Sequence, residues 1–181
     1  MIHEVLSTLM LQPVDIAVAY LAAYQQLAAG WSPARVQRDL QVPWSSLNLS
    51  LGRLSDAGVV RGGRPSRQAL ATLLPALQYL LPIGPSDGVA TMGVPTGASS
   101  PGLGEQLVVA VPQVWAHSDG RVRGVAVQPL FRTIPDIALH DEGLHRLFGA
   151  LDAARSGRAR EYRLAREVLA ELTGLPEPMA A

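Results

Sequence analysis

Hydrophobic residues crowd VDIAVAYLAAYQQLAA, Val14 to Ala29, around most of a helical circumference, so a helix from about Gln12-Pro13 to Gly30 is expected at the centre of an N-terminal core. Ser32-Pro33 starts a second, short helix: the serine hydroxyl accepts an orphan amide, and proline at the first helical position has no donor to waste. This helix runs through ARVQRDL to Leu40 and breaks at Gln41-Val42-Pro43, because the residue before a proline is pushed out of the α region. A third helix follows in WSSLNLSLGRLSDAG. There Leu47, Leu51 and Leu54 make one apolar stripe at i, i+4 and i+7, while Ser45, Ser46, Asn48, Ser50 and Arg53 fall largely elsewhere. Gly58 is placed to end it in the left-handed region.

Val59-Val60-Arg61 reads as a short strand, Gly62-Gly63-Arg64-Pro65 as a tight turn, and Ser66 as the cap of a helix from Arg67 to about Leu81. From Pro82 to Leu103 the pattern stops. Gly84, Pro85, Gly88, Gly93, Pro95, Gly97, Pro101 and Gly102 predict a linker without regular structure over 83–103. Beyond it, Asp119-Gly120 between Val114-Trp115 and Val122-Arg123-Gly124-Val125 signals a β-hairpin, weakened by Pro112. Two helices close the chain, Pro135 to Ala154 and Arg158 to Leu172, with Gly174 and Pro176 as the stop. In the second, Leu164, Val168, Leu169 and Leu172 face inward, against Leu144, Leu147, Phe148 and Leu151 or against a second subunit. Arg158 with Tyr162 and Arg163 with Glu167 make i, i+4 pairs on its solvated face. The expected class is mainly α with small β (α+β). Residues 1–82 form one domain and 104–181 a small hairpin-plus-helices region for dimerisation or partner and ligand binding.

A chain of 181 residues, 48% hydrophobic and 17% charged, is long enough to bury a substantial core. LATLLPALQYLLP is broken by Pro75 before it could span a membrane, and the N-terminus lacks a basic-then-apolar leader, so a cytoplasmic protein is expected. The absence of cysteine removes disulfides, thiolate nucleophiles and thiolate metal sites. Net charge is zero, but its distribution is uneven. Between Trp31 and Arg67 stand Arg35, Arg38, Arg53, Arg61, Arg64 and Arg67 against Asp39 and Asp56. All 15 basic residues are arginine, a bias that a G+C-rich coding sequence produces by itself.

Capped short helix, proline-marked turn, hydroxyl-rich third helix and arginine-bearing turn follow one another in the order of a winged helix-turn-helix. A helix lying in the major groove needs one side packed on its own protein and another offering hydrogen-bonding groups to bases and phosphates. On this reading Ser45, Ser46, Asn48, Ser50 and Arg53 face the groove, and Arg61, Arg64, Arg67 and Arg35 reach phosphates. Trp44 either touches a thymine methyl or staples the turn. The bland alternative is a trihelical core with no ligand. His140, Asp141, Glu142 and His145 are the nearest approach to a metal cluster, with His117 and Asp119 on a separate turn. Acids at the positive end of a helix explain Asp141 and Glu142 as well. No phosphate loop, nucleophile elbow or dinucleotide fingerprint is present, so no catalytic residue, metal site or cofactor is expected, and the chain is not expected to be an enzyme.

WSPARVQRDLQVPWSSLNLSLGRLSDAGVV resembles the winged helix-turn-helix of bacterial transcriptional regulators of the MarR type, in which the recognition helix is followed by L…AGLV and a basic wing. Leu54, Ala57, Gly58, Val59 and Val60 occupy that pattern. The resemblance covers about residues 12 to 81, with a wing shorter than in MarR proper and without evident flanking dimer helices. The whole chain is similar to a group of helix-turn-helix proteins that accompany toxin or phage-defence genes. The resemblance implies a sequence-specific DNA-binding regulator, a repressor acting as a homodimer on double-stranded DNA. Its alternative is an antitoxin-like module binding a protein encoded nearby, and a metal-dependent enzyme using Asp141, His145 and His117 is a third.

Overall fold

The computed structural model describes residues 10–83 and 89–176, and in them a mixed α and small-β architecture. Helix α1 (Pro13–Ala28) is its axis: every residue from Asp15 to Ala23 is buried. This follows from its sequence, which has almost no polar side to turn outward. The Tyr20 hydroxyl, buried with its ring, donates to the Leu70 carbonyl at 2.9 Å and so has the partner a buried phenol needs.

Helices α2 (Pro33–Leu40) and α3 (Trp44–Asp56) pack on α1. Ser32 caps α2 by accepting the Arg35 amide at 3.2 Å. Leu47 and Leu54 are fully buried and Leu51 partly, as their spacing requires. Gly58 carries φ +68°, and strands β1 (Val60–Arg61) and β2 (Arg64–Pro65) form an antiparallel ribbon. Gly62 and Gly63, both at positive φ, turn the ribbon. Ser66 caps α4 (Arg67–Leu73) by accepting the Ala69 amide at 3.3 Å. The single helix expected to about Leu81 is divided at Pro75 into α4, a 3-10 turn (Leu74–Ala76) and α5 (Leu77–Leu80), since proline cannot donate into the ladder.

The stretch expected to be irregular is corrected from Ala90 onward; 84–88 lie outside the described residues. Strand β3 (Ala90–Thr96) and a 3-10 turn (Gly97–Ser99) that buries Ala98 lead into buried Ser100 and Leu103. The expected hairpin is also corrected. Strands β4 (Gln113–Ala116) and β5 (Val122–Ala126) pair in parallel, each antiparallel to β3, and the three close into a miniature barrel. Gly93 faces both partners: it pairs with Ala116 on one side and Val122 on the other. So small a barrel has no room for side chains at its crossings. A Cβ on Gly93 would lie 2.2 Å from the Trp115 carbonyl oxygen, on Gly120 2.3 Å from the Gly93 Cα, and on Gly124 2.3 Å from the Pro112 carbonyl oxygen.

The penultimate helix is interrupted at Asp141. It becomes α6 (Ile134–His140) and α7 (Glu142–Arg155), with Asp141 capping α7 by accepting the Leu144 amide at 2.9 Å. Helix α8 (Ala159–Thr173) ends at Gly174, φ +67°. Its Leu164, Val168 and Leu169 are buried within this chain, against α7 and α1, so that stripe is already covered. The expected i, i+4 pairs on α8 give way to an Arg158–Glu161 ion pair at 2.8 Å.

A buried polar knot ties the layers together. Asp152 on α7, 1% exposed, accepts from Thr96 Oγ1 at 2.9 Å, Trp115 Nε1 at 2.7 Å and Arg155 Nη1 at 2.5 Å. Arg155 Nε donates to the Leu81 carbonyl at 2.7 Å. One carboxylate thus fastens β3, β4 and α7, and its arginine adds the end of α5. Burial raises the Asp152 pKa, opposed by Arg155 and the hydrogen bonds of Thr96 and Trp115.

Candidate nucleic-acid interface

Helix α3 and the β1–β2 ribbon are neighbours because Gly58 turns the chain sharply after Leu54, whose carbonyl accepts the Val59 amide at 2.8 Å. With Leu47 and Leu54 committed inward, the outward edge of α3 is fixed by helical arithmetic. Ser45 and Asn48 are exposed there and Ser46 is half-exposed. Gly52 lies on the same edge and faces open space.

Two residues assigned to that edge do not belong to it. Ser50 is 0% exposed, buried three residues from Leu47 and four from Leu54 on the inner side of the helix, and cannot reach a ligand. Arg53 is turned inward to Asp15 at the start of α1. Its Nε meets Oδ2 and its Nη2 meets Oδ1, each at 2.7 Å, a two-pronged pair whose carboxylate is fully buried. Asp15 Oδ2 also accepts the Gln12 amide at 2.7 Å, so the pair fastens α3 to the first turn of α1.

The flanking arginines divide as well. Arg61, Arg64 and Arg67 are all exposed. Arg61 Nε donates to the Gly58 carbonyl at 2.9 Å, satisfying an acceptor at the end of α3. Arg64 stands at the ribbon tip. Arg67 leans the other way: a Cβ on Gly174 would come within 3.1 Å of its Cζ, which puts the guanidinium at the negative end of α8. Arg35 is turned back on the loop before its own helix, its Nη1 donating to the Gly30 carbonyl.

Leu49, to which the sequence assigns no role, is also exposed on α3, 63% beside Asn48, and Trp44 is open to solvent as well, 49% at the start of the helix. The signal for Leu49 was present, since it lies off the stripe of Leu47, Leu51 and Leu54. Arg38 on α2, with a side chain 68% exposed, pairs with Asp39 at 3.0 Å.

The histidine and acid cluster does not converge. His145 Nε2 donates to the Pro95 carbonyl at 2.6 Å and its ring lies 5.8 Å from that of Trp115. His117 faces Asp136 at 3.6 Å, His140 is exposed, and Asp141 is the cap of α7. Among the described residues no three such side chains are grouped to hold a metal ion, and no helix is long and apolar enough to cross a membrane. An open groove of about 1270 Å³ runs between Pro13, the Leu80–Ile83 segment and Val127–Phe131, lined by apolar side chains and backbone together with Gln128, Arg132 and Arg155. No protein-family model, curated protein or solved structure matches the chain.

Proposed function

We propose that this chain is a sequence-specific DNA-binding regulator, a repressor acting as a homodimer in the cytoplasm, whose N-terminal part is a winged helix-turn-helix. In this reading α2 and α3 are the helix pair, α3 enters the major groove, and the β1–β2 ribbon is the wing. The observation that carries it is the open edge of α3: Ser45 and Asn48 are exposed, with Ser46 half-exposed beside them, in the helix that leads directly into the exposed Arg61 and Arg64. A hydrogen-bonding edge next to a cationic tip is what base readout combined with phosphate anchoring requires. Arg35, Ser50 and Arg53 are removed from the contact set, and Arg67 is demoted because it is turned toward α8.

Binding of the full chain to its own upstream DNA, followed by fluorescence anisotropy across a salt series, tests this. Affinity should fall linearly on a log–log plot as counterions are released, and Arg64→Ala should reduce the slope by about one. No binding, or binding indifferent to salt, overturns the proposal.

One observation favours a second reading, a protein-interaction module of the antitoxin kind. Trp44 and Leu49 expose apolar surface on α3 to either side of Asn48, and aromatic anchors are typical of protein interfaces. A stoichiometric partner that co-purifies with the wild type and is lost in Leu49→Asp, without any shift of DNA, would establish it instead.

A further inference from the structure

We infer, resting on the DNA-binding reading, that α3 reads A·T pairs and not G·C pairs: Asn48 recognises an adenine, and Leu49 with Trp44 meets the methyl groups of neighbouring thymines. The inference begins with what α3 lacks. A guanine is read most often by an arginine or lysine fork on its O6 and N7. The chain contains no lysine, and α3 contains one arginine, Arg53. Its Nε–Nη2 edge is held by the buried Asp15 carboxylate, at 2.7 Å on each prong, which draws the guanidinium inward and away from the open edge of α3. Withdrawing that side chain would leave the carboxylate uncompensated in the core, so the fork stays with Asp15 when a duplex approaches.

What remains on the open edge is a different vocabulary. Asn48, exposed, carries a carboxamide that matches adenine N6 and N7 in two hydrogen bonds. Leu49, 63% exposed next to it, has nothing to offer a guanine or cytosine edge, and Trp44, 49% exposed one turn before Asn48, presents an apolar ring face and a single indole N–H that cannot make a guanine fork. They suit the thymine methyl, the one apolar group the major groove displays. Gly52, with open space where a side chain would stand, lets the groove floor approach the helix closely at that level. Ser45 bonds any base and adds no preference. Arg61 and Arg64 belong to the ribbon and supply affinity without this discrimination.

The test is selection of duplexes from a random pool by the full chain, followed by binding to the selected site with single atoms changed. An A·T-centred half-site is expected. Replacing its adenine by 7-deazaadenine, which lacks the N7 acceptor, should weaken wild-type binding by about 5- to 150-fold, the usual worth of such a pair, and leave Asn48→Ala unaffected. Replacing by uracil the one thymine that Leu49 meets should weaken the wild type and not Leu49→Ala. A G·C-centred consensus, or indifference to both replacements, overturns this inference and leaves the regulator reading standing. Failure to enrich any sequence, together with no salt-dependent binding, overturns the regulator reading and this inference with it.

Discussion

Two regions of this molecule use glycine for opposite ends. In the β1–β2 ribbon Gly62 and Gly63 face open space and are needed because their backbone is left-handed, at φ +55° and +72°. In the barrel, Gly93, Gly120 and Gly124 are not among the positive-φ residues, yet any side chain there would collide with backbone within about 2.3 Å. The first kind of glycine permits a turn; the second permits contact. A glycine-rich stretch therefore signals flexibility only where nothing is packed against it, and Gly93 is packed on both sides.

Cutting the joint between the barrel and α7 should have the largest effect. Asp152→Ala removes the carboxylate shared by Thr96, Trp115 and Arg155 and leaves a guanidinium that is 7% exposed without its partner. Breaking a buried pair in this way costs about 3–5 kcal/mol, and a urea midpoint unmoved by the substitution would show that the knot is not structural. Next comes Gly93→Ala, where the added carbon meets the Trp115 carbonyl oxygen at 2.2 Å and backbone cannot step aside. A loss of about 3 kcal/mol is expected from forced overpacking. Gly63→Ala meets nothing within 4 Å and bears only the strain of its left-handed φ, about 1 kcal/mol. If the two alanine variants were equally stable, the distinction between turn glycine and contact glycine would fail.

The same contrast explains what the sequence disclosed. Ser32, Ser66 and Gly58 announce their structures because capping and left-handed termination depend on residues within one turn of the chain. The inward leucines of α3 are equally local. The pairing of β4 with β5 is not: Asp119-Gly120 has the composition of a hairpin turn, but Gly120 is spent on the crossing with Gly93, and both strands find β3 instead. Arg53 was misread for the same reason. Its spacing on α3 places it near the outer edge, and only Asp15, 38 residues earlier, draws it in. Local rules fixed which helix edge is available, and long-range pairing decided which side chains stayed on it.

The gentlest perturbation is a proton on His145, which sits where α7 meets the barrel, on the Pro95 carbonyl and beside Trp115. Burial lowers its pKa below the ordinary 6.5, outweighing the Pro95 hydrogen bond and Glu142, which both favour the charged ring. As pH falls, the unfolded chain takes up this proton before the folded one, so the fold loses stability from about pH 6.5 downward, through the lowered folded value. Asp152 acts with the opposite sign, since its raised pKa lets the folded state bind a proton first in acid. The two are separable with His145→Gln, which retains an N–H donor for Pro95 and does not titrate. Urea midpoints measured from about pH 7 to about pH 5.5 should decline in the wild type and stay flatter in the variant. Equal slopes would mean that the barrel's contact with α7 is indifferent to this ring, and that Asp152 and Arg155 hold barrel and helix together without it.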